Sequence, residues 1–276
     1  MITQHQSVST RRFLGPLATI PWNDLLFNPE SGRHILQDFT TFGGHADASG
    51  GALTPVAGVF NAYIYQGGFI NNAAYIHGGI TMGSDGDNEG VTLQPNTSAF
   101  QIINDGSVGK LIFGARFKTS TITDTKHGFY IGLTEQLAAG GTNGNFLAAA
   151  KPIGTNGTLT DNNFIGFHRL EGDGDQIDVV YKADGQTQQS PITDGLTLVA
   201  DTWYVVALVF DPQRGDIQLF LNSATASTTL ITRANIAAAT FPSDVLLTPT
   251  FGLMNATGTT PGNTTLDYIV CAQMNP

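Results

Sequence analysis

Runs in which apolar and polar residues alternate with a period of two dominate the second half of this chain, and that period belongs to half-buried β-strands, not helices. In 110–118, Leu111, Phe113, Ala115 and Phe117 fall on one face, with Arg116 and Lys118 on the other. Phe129, Ile131 and Leu133 alternate with Tyr130 and Gly132, and Ile177, Val179 and Tyr181 with Asp178 and Lys182. Ile217, Leu219 and Leu221 share a face, and Leu266, Tyr268, Val270 and Ala272 are expected to share another, opposite Asp267 and Gln273. From Trp203 to Phe210 both faces are apolar, as in a central strand covered on both sides. Trp203, Val205, Val209, Phe113 and Phe117 are therefore expected in a core between two sheets.

Turn chemistry separates these runs. Asp211-Pro212-Gln213-Arg214-Gly215 reads as a hairpin loop, and Asp184-Gly185 with Asp194-Gly195 bracket an exposed crossing. Glycine supplies 33 of 276 residues. Helical signals reduce to three short stretches, Pro21–Phe27, Thr134–Ala139 and Asn145–Lys151. Strands about ten residues apart with Gly-rich turns predict an all-β sandwich or barrel and not an α/β fold. Residues 1–37, with no alternating run, read as an extended arm, and 38–276 as the sandwich domain. Within the latter, 42–82 read as short, weakly specified strands that include Tyr63 and Tyr65.

Charge narrows the partners. Lys and Arg total 12 against 22 Asp and Glu, for a net charge of −10, and no basic cluster exceeds Arg11-Arg12. A nucleic-acid binder needs a basic face, so none is expected. No apolar run approaches the roughly 18–20 residues that span a bilayer, and no secretory h-region opens the chain. The expectation is a protein made in a cytoplasm and not placed in a membrane. The one cysteine, Cys271, excludes an internal disulfide and reads as a small packed strand residue.

The ordered set 202–222 (TWYVVALVFDPQRGDIQLFLN), LTPTFG and TTLDYIVCAQ resembles the concanavalin-like (LamG/jelly-roll) β-sandwich. With NPESGRHILQDF, SDGDNEGVTLQ, HGFYIGLTE and IGFHRLEGDGDQIDVVYKADG, it resembles more narrowly a group of tailed-phage virion proteins carrying this domain, over about residues 27–273. The resemblance implies a concanavalin-like jelly-roll sandwich and a structural place on a phage particle.

Glycoside hydrolases of this fold carry carboxylate pairs on one strand, typically E-x-D-x-x-E. The nearest approach, Glu171-Gly172-Asp173-Gly174-Asp175, lacks the second Glu and reads as an acidic turn, so no enzyme is expected. Asp85, Asp87 and Glu89 offer hard oxygen ligands in a Gly-containing loop that would suit Ca²⁺, but Asn96 stands where an EF-hand loop needs its last Glu. The six histidines, His5, His34, His45, His77, His127 and His168, show no zinc spacing. Trp203 admits a role as a sugar-stacking platform, although its all-apolar strand favours the core. These features lead to the expectation of a virion protein decorating or cementing the capsid head, in contact with the major capsid protein or other virion proteins. Self-association, as a trimer, or docking to a capsid lattice is expected through an arm bearing Arg11, Arg12, Phe13 and Trp22. The alternative is a glycan-binding fibre or adhesin module of head or tail.

Overall fold

The computed structural model describes residues 31–37, 46–47, 53–57, 60–65, 68–72, 79–84, 86, 89–95, 99–123, 127–136, 163–169, 175–221, 230–255 and 262–276. They form two antiparallel sheets. The nine-stranded sheet runs β15 (Leu230–Ile231), β14 (Asp216–Leu221), β13 (Tyr204–Asp211), β8 (Leu111–Thr119), β17 (Thr264–Met274), β6 (Ile80–Ser84), β5 (Gly68–Asn72) and β2 (Ala46–Asp47). Its ninth strand, β1 (Gly32–Gln37), also pairs with β17. The eight-stranded sheet runs β12 (Gln189–Thr197), β11 (Gln176–Lys182), β10 (Phe164–Arg169), β9 (His127–Thr134), β16 (Thr248–Asn255), β7 (Gly90–Pro95), β4 (Phe60–Tyr65) and β3 (Leu53–Ala57). The described helix α1 (Arg233–Ile236) is one turn, capped by Thr232, and it buries Ile236.

The main core lies between the sheets, and the alternation places it there. Phe113, Ala115 and Phe117 of β8 meet Phe129 and Ile131 of β9 and Phe251 of β16. Phe117 and Phe129 touch edge to face with centroids 5.3 Å apart, and Phe129 stacks on Phe251 at 6.3 Å. Cys271 is buried in this core. Strand β13 is covered on both faces as its sequence requires, but the layers differ from the expectation. Tyr204, Val206, Leu208 and Phe210 point into the main core. Val205 and Val209 belong instead to a second apolar cluster on the outer face of the nine-stranded sheet, with Ile112, Ala207, Phe220, Tyr268, Val270 and Ala272. Trp203 is half-buried and belongs to neither cluster. Strict alternation from Phe113 and Phe117 across the β8–β13 register sends these residues outward.

Strand β17 departs from its sequence pattern at one residue. The register slips between Leu266 and Tyr268, so Asp267 forms a bulge. Leu266 therefore faces the main core with Ile269 and Cys271, whereas Tyr268, Val270 and Ala272 face outward. The expected helical turn at Thr134 is absent. Thr134 ends β9, and Glu135 continues the strand edge by donating its N–H to the Asn163 carbonyl at 3.1 Å. The rest of that stretch, 137–139, and the stretches 21–27 and 145–151 lie outside the described residues. Residues 32–37, read as the end of the arm, pair along β17 from Gly32–Met274 to Gln37–Ile269.

The sheet margins carry features that block further pairing. Pro191 lies in β12, whose pairing with β11 slips twice, and Pro55 lies in β3. Strands β15 and β2 have two residues each.

Candidate functional site

Strand β8 presents Arg116 and Lys118 on the outer face because Ala115 and Phe117 take the inner one. Trp203, which precedes β13, lies beside them. The Arg116 guanidinium carbon is 4.5 Å from the indole centroid and the Lys118 ammonium 5.5 Å. Both are within reach of a cation–π attraction. The β17 bulge aims Asp267 at the same place, and its Oδ2 accepts from Arg116 Nη1 at 2.6 Å. That carboxylate is 4% exposed and the guanidinium side chain 34%, so the charge pair is held from below. Lys118 lies 3.8 Å from Asp201, which is 70% exposed, a contact that water screens to little.

The turn that places Trp203 is fastened at both ends. Asp201, with φ of 57°, donates its N–H to the Thr119 carbonyl at 2.7 Å, and Val199 N–H donates to Tyr204 Oη at 2.8 Å. Along the register, Lys118 faces Thr265 and Thr265 faces Thr81, and their hydroxyls lie 3.1 Å apart. Trp203, just before β13, and Lys118, Thr265 and Thr81 on β8, β17 and β6 therefore make a row about 14 Å long at the usual strand spacing. Thr265 is buried beside Thr81, so the row offers an aromatic plate, an ammonium and the Thr81 hydroxyl, which can stack on a sugar ring and bond its hydroxyls.

Of the acidic candidates, Glu89 and Asp175 are among the described residues. Asp85, Asp87, Glu171 and Asp173 lie outside the described residues, as do Arg11, Arg12, Phe13 and Trp22. Glu89 is half-buried and folds back on Gly86, where a Cβ would come 2.8 Å from its Oε1. Asp175 Oδ1 accepts from Gln176 Nε2 at 3.0 Å. Among the described residues no group of three or more His, Cys, Asp or Glu is placed to hold a metal ion. Tyr63 and Tyr65 fall on β4, opposite Thr92 and Gly90.

Sequence reasoning missed the outer face of the eight-stranded sheet. Buried Gln94 donates from Nε2 to Thr134 Oγ1 and Thr250 Oγ1, each at 2.9 Å, and to the Glu135 carbonyl at 2.8 Å. Next along the sheet, His168 Nε2 lies 3.4 Å from Asp178 Oδ2, and Asp178 Oδ1 accepts from Asp194 N–H at 2.9 Å. The only sequence signal for this pair was its place on two strands flanking one acidic turn. Burial pushes the Asp178 carboxyl up, but the His168 ring and the Asp194 N–H outweigh it and hold it below its ordinary value of 3.8. A depressed carboxyl contributes stability above its unfolded pKa and loses it as pH falls through the folded value. The unfolding free-energy gap between the native chain and Asp178→Asn is therefore expected to shrink below about pH 4. A gap that stays constant from about pH 6 to pH 2 would show that the Asp178 carboxyl is not held below its ordinary value by folding.

Two antiparallel sheets packed face to face, with this strand order and core, define a concanavalin-like jelly-roll β-sandwich. The chain is similar in structure to peanut lectin, with 11% identity and a TM-score of 0.54 over 87% of this chain and 97% of that one. It is similar to the potassium-bound carbohydrate recognition domain of Emp46p, with 11% identity and a TM-score of 0.52 over 77% and 88%. A Shewanella oneidensis MR-1 protein of unknown function matches 93% of this chain and 95% of its own, with 14% identity and a TM-score of 0.53. No family model and no curated protein matches the chain by sequence.

Proposed function

We propose that this protein is a non-catalytic glycan-binding module of a phage particle, and that Trp203 with Lys118 and Thr81 forms its binding row. The observation that carries the reading is the placement of Trp203. A tryptophan outside both apolar clusters, packed against an ion-paired arginine, is a fixed aromatic surface and not a core filler. Two proteins of similar fold, peanut lectin and the carbohydrate recognition domain of Emp46p, support the reading. The place on a virion rests on the resemblance of the ordered strand motifs to tailed-phage proteins.

The test is a glycan array probed with the native protein and with Trp203→Ala. Binding of a polysaccharide class is expected, weakened about tenfold or more in the variant, the equivalent of losing about 1.4 kcal/mol of stacking. Binding that survives Trp203→Ala unchanged moves the site elsewhere, and cleavage of the bound polysaccharide overturns the non-catalytic reading.

Head decoration, with the major capsid protein as partner and a trimeric assembly, is the second reading. It is favoured by broad sheets in a chain with only 12% charged residues, a surface suited to packing against other subunits. Copy number separates the two, since hundreds of copies per particle mark a decoration protein and a handful mark a fibre or adhesin.

A further inference from the structure

At the end of the nine-stranded sheet away from Trp203, β8 begins while β13 and β17 end, and a cavity of about 640 Å³ opens there. Its walls come from the segment 106–110, the hairpin loop after β13 and the residues that close β17. Small-molecule sites fall in the range of about 300–1,000 Å³.

Each wall is fixed by its own bonds. The Lys110 carbonyl accepts from Met274 N–H at 2.9 Å, and a Cβ on Gly109 would run into the carbonyl oxygens of Met274 and Asn275. In the hairpin loop, Asp211 Oδ1 accepts from Gln213 N–H at 3.0 Å and Arg214 N–H at 3.3 Å, and the Asp211 carbonyl accepts from Gly215 N–H at 2.7 Å. A ligand entering between such walls has little chain to order.

The charges decide which ligand fits. Two charged side chains line the cavity, Lys110 and Asp211, one residue beyond the last pair of the β8–β13 register, Leu111 with Phe210. Asp211 is satisfied from within its own turn, by the two N–H groups and by Arg214, whose Nε lies 3.6 Å from Oδ2. Lys110 forms no ion pair among the described residues. The charge left for a ligand to balance is therefore the Lys110 ammonium, which calls for an anionic group. Val108 and Met274 add apolar surface, Gln213 adds an exposed carboxamide that both donates and accepts, and Gly106 leaves its main chain bare. That mixture fits a small body carrying hydroxyls better than a wholly apolar one.

We propose that this cavity binds a small hydroxylated carboxylate of the hexuronate type, with its carboxylate on the Lys110 ammonium and its hydroxyls on the Gln213 carboxamide. The site stands about 25 Å from Trp203, the length of β13, so it does not rest on the Trp203 row and either can fail alone.

The test is an amide NMR titration of the full chain with glucuronate, and with glucose as the uncharged probe. Glucuronate is expected to saturate with a Kd of about 1 mM, ordinary for a ligand of its size, and to shift Gly106, Gly109 and Gln213 most. Glucose should bind about tenfold more weakly or less, and Lys110→Gln should weaken glucuronate about tenfold while Lys110→Arg keeps it. Equal binding of the two sugars, or unchanged binding by Lys110→Gln, would overturn the proposal. So would the absence of saturation at about 20 mM glucuronate. Shifts confined to the surroundings of Trp203 would overturn it too, and would place the carboxylate at the other site.

Discussion

Phe113→Ala is expected to destabilise the protein by about 3–5 kcal/mol, in a chemical-denaturation measurement at neutral pH. Phe113 has no exposed surface and lies in the main core, on β8 between β13 and β17. Removing the ring leaves a hole between two sheets whose backbones are fixed by ladders on both sides, so the site cannot collapse to fill it. Val209→Ala, in the outer cluster on the adjacent strand, removes fewer atoms and should cost about 1–2 kcal/mol. A loss below about 1 kcal/mol for Phe113→Ala would mean that the inward face of β8 has been assigned wrongly.

The second large effect is expected from adding one methyl group. Gly132 and Gly166 face each other across β9 and β10, and the Tyr130 ring lies over both. Tyr130 donates its hydroxyl to the Leu133 carbonyl at 3.0 Å and meets Phe164 edge to face at 6.0 Å. A Cβ on Gly166 would stand 2.6 Å from the Ile131 carbonyl oxygen, 2.6 Å from Tyr130 Oη and 2.7 Å from Gly132 Cα. Two of these three are backbone atoms in a paired ladder, which cannot yield as a side chain can. Gly166→Ala should cost about 3 kcal/mol, the upper end for overpacking. Gly106→Ala is the control. Its φ is +82° but nothing lies within 4 Å of the added Cβ, so only the left-handed backbone penalty of about 1 kcal/mol applies. Equal losses in the two variants would show that steric contact at Tyr130 is not the cause.

The strands were legible because each inward set is a regular every-other-residue pattern, as in Phe129, Ile131 and Leu133. The pattern could say that β13 is apolar on both faces, but not which face meets the second sheet. That choice is made by pairing with β8, a contact between residues almost a hundred positions apart. The Asp267 bulge was illegible for a related reason. A single extra residue shifts which side chains turn outward, and nothing local distinguishes Asp267 from a regular polar position. Trp203 was weighed toward the core because its neighbours are apolar. The strand begins one residue later, and Arg116 and Lys118, which face it, are far away in sequence. The His168–Asp178 pair and the Gln94 network were missed because polar residues on a strand's second face look like ordinary solvent-facing positions.

Strand β17 occupies the middle of the nine-stranded sheet. It pairs with β8 along one side, and along the other with β6 over Thr264–Leu266 and with β1 over Ile269–Met274. On the ribosome, β1, β6 and β8 emerge long before the strand that joins them. About 150 residues separate the end of β8 from the end of β17, which at usual elongation rates is an interval of about 8–30 s. Until that interval ends, three strands hold unpaired edges toward an empty slot, and the high contact order makes the final insertion slow as well. The yield of native protein in a cell should therefore depend on holding chaperones and on growth temperature during synthesis far more than the stability of the finished sandwich would suggest.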